Sequence, residues 1–212
     1  ELIIFTSVEA IGKQAEYTRW GLKYDKFWEN VDEICTRLPK VTVNIMAAFN
    51  ALSVFTYGEL VDKVLEMKKK HNNRERYWTT AVQLDTAYIR WPMHLSVKIL
   101  EDKDKKHILD AATKALHYGS NKMTSMTYGF TDVEIQKIKR VYDYAIAQDS
   151  FDTEKYRKDF GIFIEENDKR KGTNFYKVFP ELKDFYDKYK PKASVDTVDK
   201  QYLSIFPDKT SK

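Results

Sequence analysis

Hydrophobic and polar positions change rhythm near residue 100. Before it, short apolar runs alternate with stretches in helical register, the pattern of βα units around a parallel sheet. Leu2-Ile3-Ile4-Phe5 is a continuous apolar run, expected to form a strand over about 2–8 that is buried on both faces and flanked by neighbours. A loop with a short helix follows from Gly12 to Trp20. Asp25 is then placed to cap a helix carrying Phe27, Val31, Ile34 and Leu38 at helical spacing, and Pro39 stops it. The β-branched run from Val41 to Met46 predicts a second strand that leads through Phe49 to Asn50. Thr56 and Glu59 have capping-box spacing ahead of Leu60, Val61, Val64, Leu65 and Met67, one face of a helix ending near His71. After the polar loop 72–76, a third extended segment spans about 81–90.

Beyond residue 100 only the helical period remains, over about 101–118, 132–148 behind a Thr131/Glu134 capping box, 153–170 and 178–189. The chain therefore divides into βα units over 1–100, a helical extension over 101–190 and a loosely held tail over 191–212, which Tyr202, Leu203, Ile205 and Phe206 can dock. The fold class is α/β, with about three parallel strands followed by an all-helical C-terminal extension.

Composition narrows the function. Thirty-six basic against 32 acidic residues leave a net charge of +4, without the basic stripe that nucleic acid binding needs. The run Lys68-Lys69-Lys70 is expected to be the solvated end of a helix. Cys35 is the single cysteine and lies on the apolar side of its helix. The chain alone therefore makes no internal disulfide and no multi-cysteine zinc or iron–sulfur site, and a cytoplasmic setting is expected. No apolar run approaches the ~18 residues of a membrane span, so no membrane partner is expected. The opening on Glu1, directly into a strand and without an initiator Met, is expected of a piece of a longer protein.

In parallel βα architectures ligands gather at the carboxyl ends of the strands. That rule selects Ser7 to Glu9, Asn50 to Ser53 and Arg90 to His94. Ser7 and Glu9, two apart, either hold a ribose diol together or merely end a strand and cap a turn. Arg19 either clamps a ligand carboxylate or pairs with Glu16 on a helix surface. Asn50 either bonds a ligand ahead of a helix or initiates a turn. His71, His94, His107 and His117 lack metal spacing, and His94, beside Pro92, is the one carried forward as a substrate-side acid or base.

Three strings, Phe5-Thr6-Ser7-Val8-Glu9-Ala10, Glu16-Tyr17-Thr18-Arg19-Trp20-Gly21-Leu22-Lys23-Tyr24 and Phe49-Asn50-Ala51-Leu52-Ser53-Val54, resemble a single family. It is the radical S-adenosylmethionine group of twitch-type, mostly uncharacterised proteins. The stretch from Ile89 to Lys98 and that from Glu166 through Phe179-Pro180 are similar to its later parts, so the resemblance covers about 1–190 in order.

The resemblance implies half of a partial (β/α) barrel that binds S-adenosylmethionine. Ser7 and Glu9 would lie near the ribose, Arg19 near the cofactor carboxylate, Asn50 by ribose or methionyl groups, and the backbone from Arg90 to Pro92 along the adenine. The family's CxxxCxxC loop is absent, so the [4Fe–4S] cluster belongs to a missing N-terminal half and this chain alone is expected to be inactive. The resemblance implies a substrate, whether small molecule, peptide or RNA, that the sequence does not specify. Two readings from other classes stand beside this one. The first is a non-catalytic interaction domain, homo-oligomeric through an exposed sheet edge. The second is an RNA- or peptide-handling helical module built on Lys137, Lys139, Arg140, Lys169, Arg170 and Lys171.

Overall fold

The three β-rich runs become strands β1 (Ile3–Ser7), β2 (Thr42–Phe49) and β3 (Val82–Tyr88), and every connection between them is a helical crossover. This computed structural model describes residues 2–71, 80–119, 128–148 and 150–191; the expected loop 72–76 and the tail docking residues lie outside the described residues. The strands form one parallel sheet in the order β1-β2-β3. Helices α1 (Gly12–Thr18) and α2 (Tyr24–Arg37) link β1 to β2, and α3 (Tyr57–Lys70) links β2 to β3. After two single 3-10 turns at 93–95 and 97–99, the chain is helical: α4 (Asp102–Gly119), α5 (Asp132–Ile146), α6 (Thr153–Lys171), α7 (Phe175–Val178) and α8 (Lys183–Tyr189).

Side chains alternate across the sheet, so one face is apolar and covered. Val43, Ile45, Val82 and Leu84 are buried there with Val61, Val64 and Leu65 of α3 and Val31 of α2. The other face carries the rows Phe5, Asn44, Gln83 and Ser7, Met46, Asp85, which the register sets side by side. Phe5 on that face is 59% exposed and Met46 41%.

That exposure corrects the expectation for the first strand. β1 is an edge strand with Leu2, Ile3 and Phe5 exposed, not a doubly buried central one; its apolar run reports an uncovered side as readily as a covered one. The β3 edge is closed differently. Glu134, near the start of α5, accepts the Leu84 backbone N–H at 2.8 Å, and Lys137 one turn on pairs with Asp85 at 2.7 Å.

Helix starts follow the sequence where side chains are free to cap. The Thr131/Glu134 capping box forms in full. The one expected at Thr56 does not, because its hydroxyl donates to Gln14 Oε1 (3.0 Å) and accepts the Ile11 N–H (3.3 Å). Lys23, not Asp25, precedes α2, and Asp25 sits in the first turn, where a carboxylate faces the positive helix end. The expected helix 178–189 is interrupted at Pro180, which has no N–H to continue the ladder.

Lys68 is also corrected. It is 1% exposed rather than solvated, because the turn of α3 it occupies faces the core beside α5.

Candidate functional site

The loops after β1 and β2, the segment after β3 and one face of α6 enclose a cleft of about 260 Å³ at the carboxyl ends of the strands. Glu9 and Arg19 line it from the β1 side and Asn50 from β2. Ile89 and Leu95 supply an apolar wall, and α6 contributes Phe163, Asn167 and Lys171, which recur every fourth residue and so share a helix face.

Glu9 is 3% exposed, and Arg19 grips it with both arms of the guanidinium: Nε donates to Oε2 at 2.7 Å and Nη2 to Oε1. A bidentate Arg–carboxylate pair fixes both planes and keeps a buried charge matched. Glu16, the surface partner considered for Arg19, is committed elsewhere; it accepts from Lys13 at 2.6 Å and from the Tyr24 N–H at 3.1 Å, at the start of α2. The lysine bond and that backbone bond hold the Glu16 carboxyl below its usual range.

Asn50 is buried and closes its own turn. Its Nδ2 donates to the Ala48 carbonyl at 3.1 Å, and its Oδ1 accepts the Leu52 N–H at 2.9 Å. The turn-forming role is therefore present, and the same side chain lines the cleft.

The other sequence candidates stand apart from the lining. Ser7 lies on the open sheet face in register with Met46. Arg90 is exposed, donating to the Tyr88 hydroxyl at 2.8 Å and lying over the Tyr88 ring. Pro92 follows Trp91 through a cis peptide bond. His94, beside the lining residue Leu95, packs its ring 5.0 Å from that of Phe163, and its Nε2 is buried without a hydrogen-bond partner among the described residues. Burial takes its pKa from 6.5 down to about 4, so the imidazole is neutral near pH 7.

Sequence reasoning missed the contribution of α6. The end of this helix is pinned by Asp168, which accepts the Tyr17 hydroxyl at 2.9 Å, the Thr173 hydroxyl at 2.6 Å and the Phe175 N–H at 2.7 Å. Gly172 then ends the helix in the left-handed region, at φ 62°. The signal was the helical spacing of Phe163, Asn167 and Lys171, which means nothing until the strand ends are known to lie opposite.

The cleft suits part of a nucleoside cofactor: Ile89, Leu95 and Phe163 offer apolar surface, with carboxylate, amide and ammonium groups around them. It does not suit an iron–sulfur cluster. No group of three or more His, Cys, Asp or Glu that can hold a metal ion occurs among the described residues, and Cys35 is buried in α2. Comparison with family models, with curated proteins and with solved structures returned no match. No helix among the described residues is long and apolar enough to cross a membrane.

Proposed function

We propose that this chain supplies the distal walls of the cofactor and substrate cleft in an enzyme of the radical S-adenosylmethionine type, without the cluster-binding part. One observation carries the reading: Glu9, Arg19 and Asn50, picked out by the resemblance, line a single cleft at the strand ends. The bare β1 edge supports it, since a barrel strand takes a neighbour there.

Glu9, Arg19 and Asn50 would hold S-adenosylmethionine, which beside a reduced cluster would supply radical chemistry. The chain's own residues bind and orient. Arg19 holds the Glu9 carboxylate in place by the cofactor ribose, and Asn50 stiffens the β2 turn so that its amide meets the same ligand. Ile89 and Leu95 exclude water along one wall, and neutral His94, next to Leu95 in sequence, packs its ring against Phe163 and stands apart from the ligand.

The test is to sequence upstream of Glu1 and express the extended protein anaerobically. The expected result is a [4Fe–4S] chromophore, with S-adenosylmethionine binding that weakens about tenfold on Glu9→Gln or Asn50→Ala. A cluster-loaded protein whose binding ignores both substitutions overturns the reading. The second reading, a non-catalytic interaction domain, is favoured by exposed Leu2, Ile3, Phe5 and Met46; it gains if the extended gene encodes no cysteine triad.

A further inference from the structure

Asn167 and Lys171 stand one turn apart on α6, and among the described residues the Lys171 ammonium has no ion-pair partner and the Asn167 Nδ2 no partner in full bonding geometry. Asn167 is 8% exposed, and its Nδ2 is buried with no partner in full bonding geometry among the described residues; the Tyr17 hydroxyl, which donates to Asp168, is close enough to feel its amide. Native proteins rarely leave such a donor unmatched, and on a cleft wall it marks the place of a missing acceptor.

Lys171 has no ion-pair partner among the described residues. Its ammonium lies 5.9 Å from the centre of the Trp20 ring, and partial burial lowers its pKa. The adjacent Lys169 and Arg170 behave as ordinary surface cations, paired with Glu165 and Glu166. Among the described residues Glu9 is the one carboxylate lining the cleft, and Arg19 already takes both of its oxygens, so no described lining residue neutralises Lys171.

We propose that the Asn167–Lys171 face of α6 is an oxyanion subsite that receives a carboxylate or phosphate group of the ligand. Lys171 provides the charge, Asn167 Nδ2 a directional donor, and Phe163 one turn earlier bounds the ligand's apolar part. The subsite depends on the cleft being a ligand site, as proposed above, and not on the cluster-bearing half.

The test uses the 15N-labelled full chain titrated with inorganic phosphate and, separately, with acetate. Saturable shifts of the Asn167 side-chain amide are expected, weakened about tenfold or more by Lys171→Gln and unchanged by Lys169→Gln. Anion-induced shifts of the Phe163 and Lys171 backbone amides serve as a second readout, and Asn167→Asp, nearly isosteric, removes the donor and is expected to abolish them; the amide spectrum itself reports that each variant is folded. A response to one anion alone assigns the subsite to that class. Silent Asn167 resonances with both anions overturn the proposal, as do shifts that persist in Lys171→Gln, the mark of an adventitious ion only. S-adenosylhomocysteine added to the same samples separates the two readings. Nucleoside binding without an anion response overturns the subsite alone, and an anion response without nucleoside binding supports the subsite while counting against the cofactor.

Discussion

Lys68 of α3 and Glu134 of α5 form an ion pair at 2.9 Å within the core, with side chains 0% and 6% exposed. The ammonium also reaches Thr80 Oγ1 at 3.1 Å and the Gly129 carbonyl at 3.3 Å, while the carboxylate serves the Leu84 N–H and its own capping box. Burial lowers the Lys68 pKa, and Glu134 opposes that shift. The pair thus ties the second crossover helix to the closed edge of the sheet.

Removing one partner leaves a buried charge unmatched. Glu134→Ala is expected to lower stability by about 3–5 kcal/mol, read as a shifted midpoint in urea unfolding. Lys68→Met combined with Glu134→Leu is expected to cost less than Glu134→Ala alone, since no charge remains to be desolvated. Equal or larger loss in the double variant would refute that account.

His94 gives a pH dependence whose sign follows from its depressed pKa. The unfolded chain takes up a proton near pH 6.5, and the folded chain resists it until about pH 4. Between those values the unfolded state binds more protons, so stability falls on acidification and the contribution levels off below pH 4. The loss is on the order of 3 kcal/mol for a group this buried. In His94→Gln the difference in stability between pH 7 and pH 4 should shrink correspondingly, and an unchanged difference would count against the buried neutral imidazole.

At the cleft, Arg19→Ala strands the Glu9 carboxylate, with an expected loss of about 1–3 kcal/mol in denaturant unfolding. Arg19→Lys keeps the charge but not the two-armed grip, so it should fall between wild type and Arg19→Ala. Wild-type stability in Arg19→Lys would show that charge alone suffices.

Gly161 is the point where α6 meets the end of α8. A Cβ built there would approach the Tyr189 carbonyl oxygen within 2.1 Å, and backbone cannot yield as a side-chain tip can. Gly161→Ala is expected to lower stability by about 1–3 kcal/mol, despite the higher helix propensity of alanine. A raised melting temperature would mean that the two helices separate readily.

How much of this was legible beforehand differed by kind of feature. The three parallel strands and the helical continuation followed from local periodicity, as did the Thr131/Glu134 cap, because each is set by residues close in sequence. Thr56 misled because a partner 42 residues away, Gln14, competes for its hydroxyl. Lys68 misled for the same reason, with Glu134 66 residues distant. In the cleft, the strand-end rule reached Glu9 and Asn50, but not the bond between Glu9 and Arg19 or the wall made by α6. Those depend on tertiary approach, which spacing does not encode.

The exposed edge gives a prediction in solution. Concentration-dependent association through β1 is expected in sedimentation velocity, and Phe5→Lys is expected to suppress it, because a charged edge strand resists pairing. Association unaffected by the change would place the contact elsewhere.

The two sheet edges differ, and the difference limits what association can build. A growing filament needs two complementary ends on every protomer, and here Glu134 and Lys137 already occupy the β3 end. Any strand pairing through β1 would therefore stop after one partner, either a second copy in a closed two-fold dimer or a single foreign strand. Among the described residues, a sheet so asymmetrically sealed offers strand pairing a valence of one.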